Sequence, residues 1–200
     1  LKSIFDAAID NDLCYKNPVK NIKYQKVAKT ISRVAYTKEE ARKCEEYAQT
    51  HGRKDIVIML NTGIRRSELL GLKWKDIDFD NKIMHIERAV TQTKGKIIID
   101  KPKTKTSVRA IPMPEELTEY LKQFAEDAEV FVIGAENTPA KVSTYAKGFK
   151  KFMQQMSEDT GLLALSPHEL RHTYGTTLRE NGVDIYTIQK VMGHSDISVT

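Results

Sequence analysis

The stretch Ser166–Leu178, SPHELRHTYGTTL, sets His168, Glu169 and His172 in the order H-E-x-x-H. Two histidines one helical turn apart, with an acid between them, are the ligand pair and general base of a zinc protease. Gly175 extends the match toward the longer form H-E-x-x-H-x-x-G-x-x-H, whose third ligand is a further histidine. Here that position is Leu178, which binds no metal. Glu180, Asp184 and His194 lie further along, and spacing alone excludes none of them. Arg171 argues the other way. It follows His168 by three residues, so on a helix the two side chains share a face. A fixed cation there opposes a dication and suits an anion. Pro167 marks a helix start just before His168, where unpaired N–H groups and the helix dipole also attract negative charge. The site reads as one built for a phosphate, with no metal.

Three other basic features lie far apart in sequence. In TGIRRSELLGL, Thr62–Leu72, Gly63 permits a tight entry into a helix. Arg65 then falls in the first turn, with Glu68 three residues on along the same face. KPKTKTSVRAIP, Lys101–Pro112, is a lysine-rich turn between two strands, and lysines on a hairpin tip can reach into a groove. In MGHSDISVT, Met192–Thr200, Gly193 ends one helix and Ser195 caps the next, which leaves His194 exposed between them. Each feature alone fits an ordinary surface. Together, two arginines, a lysine and two histidines compose a metal-free site for one phosphodiester. Guanidinium groups hold the non-bridging oxygens and stabilise a phosphorane-like transition state. Lysine or histidine then donates or accepts the proton.

The elements that position these residues follow from periodicity. Leu1 to about Leu13 has helical spacing. CYKNPVKNIKYQKVAKTISRV is basic with no acidic residue, including Lys16, Lys20, Lys23, Lys26, Lys29 and Arg33. A linker lying along DNA has that composition, and so does a solvated tether. Thr37 and Glu40 form a capping box that opens a helix to about Thr50. A second helix is predicted over Arg53–Asn61. Between Asp76 and Met113 the texture turns to β, with DIDFDNKIMHIERAV bending at Asp80-Asn81, then KGKIIID, then SVRAIPM. These runs predict one small three-stranded antiparallel sheet. Beyond Pro114, EELTEYLKQFAEDA, TYAKGFKKFMQQMSEDTG, PHELRHTYGTTLRENG and IYTIQKVMG read as helices. The fold class is mainly α with a small sheet, α+β.

The composition permits one well-filled core. A net charge of +5 agrees with a polyanionic partner without requiring one. Cys14 and Cys44 lack metal-ligand spacing and read as idle thiols in a reducing cytoplasm. No apolar run is long enough for a membrane span, and no signal peptide is expected.

The four motifs TG-x-R-x-x-E-L-x-x-L, PKT-x-x-S-x-R-x-IP, H-x-L-RHT and GHS-x-I-x-x-T, in this order from about Thr37 to Thr200, resemble the catalytic domain of the tyrosine recombinases, in the phage and conjugative-transposon integrase branch. The resemblance implies that Arg65 and Arg171 clamp the scissile phosphate. Lys103 would be the general acid, with Lys105 its runner-up. His168 would assist proton transfer and His194 would hydrogen-bond the same phosphate. Glu68 would order its neighbours, and His172 would be structural. Arg66, Lys101 and the linker cations Lys16, Lys20, Lys23, Lys26, Lys29 and Arg33 would touch DNA. It further implies site-specific recombination of double-stranded attachment sites through a 3′-phosphotyrosyl intermediate, integrating or excising a phage or mobile element. No cofactor or metal takes part. The partners would be the DNA, further copies of the chain in a tetramer, and accessory bending or excision factors, in the cytoplasm of a bacterial host. Residues 1–13 would end a core-binding domain, 14–35 would link, and 36–200 would be the catalytic domain. The family's tyrosine nucleophile would fall just beyond Thr200. A type IB topoisomerase-like enzyme and a non-catalytic DNA binder of the same fold are the alternative readings. Gly175, where alanine is common in the family, and Met192, where leucine is, are minor departures.

Overall fold

Apolar residues at helical spacing form α1, Lys2–Asp10, which stops short of the expected Leu13 as Asp12 turns left-handed at φ 57°. The computed structural model describes residues 2–20, 34–100, 108–125, 130–135 and 137–193. Lys23, Lys26, Lys29, Arg33, Lys101, Lys103, Lys105 and His194 lie outside these. The chain divides into two compact units, Leu1–Ser32 and Arg33–Thr200. In the first, buried Asn17 donates to Asp6 Oδ1 at 2.6 Å and to Lys2 O at 3.2 Å, folding the chain back on α1. Lys16 and Lys20 are exposed.

The second unit opens with the expected capping box. Thr37 N donates to Glu40 Oε2 at 2.8 Å and Glu40 N to Thr37 Oγ1 at 3.3 Å, starting α2, Lys38–Thr50. Helix α3, Lys54–Thr62, is its hub. KDIVIMLNT is buried on nearly every side, the signature of a helix with neighbours all round. It packs against α2, against α5 (Glu115–Lys122) and against α7 (Pro167–Glu180). Its one buried acid, Asp55, accepts from Arg53 Nε at 2.9 Å, Arg53 Nη2 at 2.7 Å and Tyr145 Oη at 2.9 Å. Tyr145 lies on α6, Val142–Thr160, a helix expected from the sequence, whose buried face is Tyr145, Phe149, Met153 and Met156.

Gly63 caps α3 in the left-handed region, φ 58°. Ile64 and the extended Arg65 then lead into α4, Arg66–Gly71, so Arg65 is the N-cap and not a first-turn residue. The strands depart from the single sheet expected. Strands β1 (Ile77–Asp78), β2 (Ile83–Ile86) and β5 (Arg109–Pro112) form an antiparallel sheet of order β1-β2-β5, with Ile86 opposite Arg109. The KIIID run instead forms β4, Lys96–Asp100, which folds back on β3, Ala89–Thr93. The reason is local. Lys94 and Gly95 both take positive φ, 48° and 80°, the two-residue turn that matches strand twist and favours the nearest partner. A minor ribbon, β6 (Gly134–Ala135) with β7 (Thr138–Pro139), carried no sequence signal. Last comes α8, Ile185–Met192, capped by the Asp184 carboxylate and ended by left-handed Gly193, φ 66°. It lies against α7 and β5. Among the described residues no helix is long and apolar enough to cross a membrane.

Gly52 and Gly63 have nearly the same backbone, φ 64° and 58°, but different surroundings. A Cβ at Gly52 would meet nothing within 4 Å, whereas at Gly63 it would lie 2.3 Å from the Tyr174 ring. Gly52→Ala should therefore cost only the left-handed penalty, about 1–2 kcal/mol. Gly63→Ala should cost about 1–3 kcal/mol more from overpacking. Urea unfolding of both variants measures the difference, and equal losses would show that the ring yields freely.

Candidate active site

Arg171 is the most buried of the site cations, 4% exposed on the inner face of α7. The N-terminus of that helix is fixed by Ser166 and Glu169. Glu169 N donates to Ser166 Oγ at 3.4 Å, Ser166 N donates to Glu169 Oε2 at 2.6 Å, and Pro167 fills the first turn. The acid of the H-E-x-x-H pattern is thus occupied as a capping group. His168 is exposed one turn before Arg171. His172 is half-buried and is not among the residues lining the cleft that His168 faces. Among the described residues no three His, Cys, Asp or Glu side chains are grouped to hold a metal ion.

Arg171 donates from Nη1 to Gly63 O and from Nη2 to Met192 O. Both acceptors are carbonyls at helix C-termini, where the partial negative charge of the helix gathers. Two more arginines use the same device. Arg65 Nη2 donates to Gly193 O at 2.5 Å, and Arg109 Nε donates to Val191 O at 2.7 Å. Three successive carbonyls at the end of α8 therefore accept from three different guanidiniums. The backbone leaving α8 is held at the residue just before His194.

Among the described residues, Glu68 is the carboxylate that faces these arginines. It is 4% exposed and saturated by four donors. Oε1 accepts from Arg65 Nη1 at 2.8 Å and Arg109 Nη1 at 2.9 Å. Oε2 accepts from Arg65 N at 2.9 Å and Arg109 Nη2 at 2.9 Å. Burial pushes its pKa up, but the hydrogen bonds and charge of Arg109, then the hydrogen bonds from Arg65, outweigh burial and hold it below its ordinary value. Arg171 moves the opposite way. Burial, and after it the charge of Arg65, pulls its pKa down to about 9 against the attraction of Glu68, which still leaves it cationic at neutral pH.

The side chains converge on a cleft of about 490 Å³ lined by Arg65, Arg66, Ser166, Pro167, His168 and Arg171, together with Ser67. Among the described residues, the guanidiniums of Arg65, Arg109 and Arg171 gather at or behind this cleft around the carboxylate of Glu68. A cleft of this kind accepts an anion with two guanidiniums and a helix N-terminus. Of the residues singled out in the sequence, the structure brings Arg65, Arg66, Glu68, His168 and Arg171 to one place. Lys101, Lys103, Lys105 and His194 are outside the described residues. Arg109 was the omission. Its letter stands in the motif that holds Lys103, but nothing in a β-strand arginine before Ala-Ile-Pro signals a partner 41 residues away.

Because Glu68 has a lowered pKa in the folded state, its contribution to stability is full above its ordinary unfolded pKa. It is lost as pH falls through the lowered folded value. Glu68→Gln keeps the shape without the charge and should cost about 3 kcal/mol at neutral pH by leaving the guanidiniums uncompensated. That cost should shrink steadily as pH is lowered below the carboxylate range. Denaturant unfolding of both proteins between neutral and acid pH gives the result, and a pH-independent gap would mean that Glu68 acts through packing alone.

Comparison with known proteins places this geometry. Residues 24–200 match the phage integrase family. A XerC-like tyrosine recombinase of Caldanaerobacter subterraneus subsp. tengcongensis is 32% identical over 235 residues, covering 100% of this chain and 58% of that protein. The transposase from transposon Tn916 of Enterococcus faecalis is 30% identical over 222 residues, covering 100% of this chain and 55% of its own length. This chain therefore spans little more than half of these relatives. The Tn1549 transposon integrase, solved in complex with circular intermediate DNA, superposes with a TM-score of 0.83 at 28% identity, over 99% of this chain and 70% of that one. An arginine cluster on this mainly helical frame, with a family match over nearly the whole sequence, identifies the chain as a member of the phage integrase family, a tyrosine recombinase catalytic domain.

Proposed function

We propose that the protein is a site-specific DNA recombinase that cuts and rejoins strands through a 3′-phosphotyrosyl intermediate. One observation carries this reading: Arg65 and Arg171 converge, beside His168, on one open cleft. A phosphodiester is the anion that such a pair holds best, with the guanidiniums on its two non-bridging oxygens. The depressed pKa of Arg171 supports the same view, because an anion in the cleft would relieve it. DNA as the partner is also supported by the DNA-bound state of the Tn1549 integrase.

In this mechanism a tyrosine oxygen attacks the scissile phosphorus in line, and the bond from phosphorus to the 5′ oxygen breaks. His168 takes the phenolic proton, and Lys103 gives a proton to the departing oxygen, with Lys105 the alternative donor. His194 hydrogen-bonds the same phosphate. The phosphotyrosyl ester keeps the energy of the original diester, so attack by another strand's 5′-hydroxyl reseals it without a cofactor. Glu68 orients the arginines, and His172 serves packing. Arg66, exposed at the cleft rim, and the exposed Lys16 and Lys20 contact the DNA backbone, with Lys23, Lys26, Lys29, Arg33 and Lys101. We assign residues 1–13 to the end of a core-binding domain, 14–35 to a linker and 36–200 to the catalytic domain. Four copies would assemble on two attachment sites, with accessory bending or excision factors.

The attacking tyrosine, on this reading, follows residue 200. Support comes from Tyr174, the tyrosine nearest Arg171 in sequence, whose ring packs on Gly63 and whose pKa burial raises. The 200-residue chain should bind DNA without forming an adduct, while a longer chain from the same gene should form one on a nicked attachment site. A denaturing gel reads the outcome. An adduct from the short chain, mapped to Tyr174 or Tyr186, would overturn the assignment.

The proton donor is testable in the longer chain. Lys103→Ala should slow cleavage by roughly 100- to 10,000-fold, the contribution of a general acid. A substrate with sulfur at the bridging 5′ position has a leaving group that needs no proton and should recover most of that rate. Rescue of Lys105→Ala and not of Lys103→Ala would reassign the role to Lys105.

A further inference from the structure

Resting on that reading, we infer that Arg109 is a positioning residue that fixes the Glu68 carboxylate and, through it, aims the guanidinium of Arg65 at the scissile phosphate. Arg109 itself does not line the cleft formed by Arg65, His168 and Arg171. Its side chain is 6% exposed and Glu68's is 5%, so their pairing is sealed from water. Arg65 is 36% exposed and is the member that reaches the open cleft.

The geometry makes the relay directional. Arg109 meets Glu68 end-on, Nη1 to Oε1 and Nη2 to Oε2, both at 2.9 Å. A two-pronged pair of this kind fixes the carboxylate plane as well as its position. Glu68 Oε1 then receives Arg65 Nη1, and Oε2 receives Arg65 N. Rotation of the carboxylate would break both contacts to Arg65 at once. Arg109 is held in turn by Nε on Val191 O, and by register on β5, where it stands opposite Ile86. Gly193 completes the fit, since a Cβ there would meet Arg109 Nη1 at 3.1 Å in a backbone at φ 66°. Lysine at position 109 would keep the charge. It has no planar fork, so it cannot set the carboxylate plane.

The test uses the full-length protein and a nicked attachment site with either a normal scissile phosphate or a methylphosphonate. The methylphosphonate carries no negative charge, so its cleavage depends little on an aimed cation. Arg65→Ala is the reference for lost clamping. Arg109→Lys should bind DNA within about twofold of the parent, because backbone contacts along the whole site set affinity. It should cleave normal DNA roughly 10- to 100-fold more slowly, the cost of a misplaced catalytic group. On methylphosphonate DNA the deficits of Arg109→Lys and Arg65→Ala should both largely disappear. A role confined to folding would lower both substrates alike. Should Arg109→Lys not fold, the neutral pair Glu68→Gln with Arg109→Met takes its place under the same expectations. Parent-like cleavage of normal DNA by Arg109→Lys, or a deficit unchanged on methylphosphonate, overturns the inference. If Arg65→Ala itself cleaves normal DNA at the parent rate, the clamp reading fails instead.

Discussion

Burying several guanidiniums side by side is the constraint on which this structure turns. Like charges repel strongly away from water, and each lost hydration shell must be replaced by hydrogen bonds. Among the described residues the demand is met by the Glu68 carboxylate and by the C-terminal ends of two helices. Glu68 takes four donors, and Gly63 O and the carbonyls of Val191, Met192 and Gly193 each take another. Those carbonyls are free to accept because they belong to last turns, where no intrahelical partner exists. The two glycines in the left-handed region, Gly63 and Gly193, stop α3 and α8 where their ends can face the arginines.

From this arrangement the site acquires its stiffness. Arg171 ties the end of α3 to the end of α8, and Arg65 and Arg109 tie the end of α8 to Glu68. No arginine in the cluster depends on one contact alone, so none can swing without breaking a second element loose. Preorganised donors lose little by reorganising when charge develops on a bound group. Among the described residues the same network sets more guanidinium than carboxylate charge beside the cleft.

Much of the frame was legible in the sequence because it depends on short-range rules. The Thr37–Glu40 capping box, the helix start at Pro167 and the glycine stops at Gly63 and Gly193 need only neighbours within one or two turns. The sheet was legible only in part. Alternation marks a strand but does not name its partner, and the Lys94-Gly95 turn drew KIIID into a hairpin. Arg65 and Arg171 stood out because each follows a helix-boundary residue, Gly63 or Pro167. Arg109 did not. Its importance comes from a contact to Glu68 across 41 positions, and no local pattern records a partner that distant.

The H-E-x-x-H letters show how a pattern can be right about geometry and silent about chemistry. Two histidines four apart on a helix do share a face, whatever they serve. What separates the chemistries is the residue between them and the fate of the acid. Arg171 puts a cation one turn from His168 and binds it into a network of carbonyls, where a dication would meet direct repulsion. Glu169 has both its geometry and its charge committed to the helix start through Ser166 N. With the acid held there as a capping group and the cation fixed in place, the helix offers His168 and Arg171 to a negative group and no third ligand nearby to a metal among the described residues. The letter that the protease pattern leaves unspecified, Arg171, is thus the one on which the proposed phosphate reading of this helix rests.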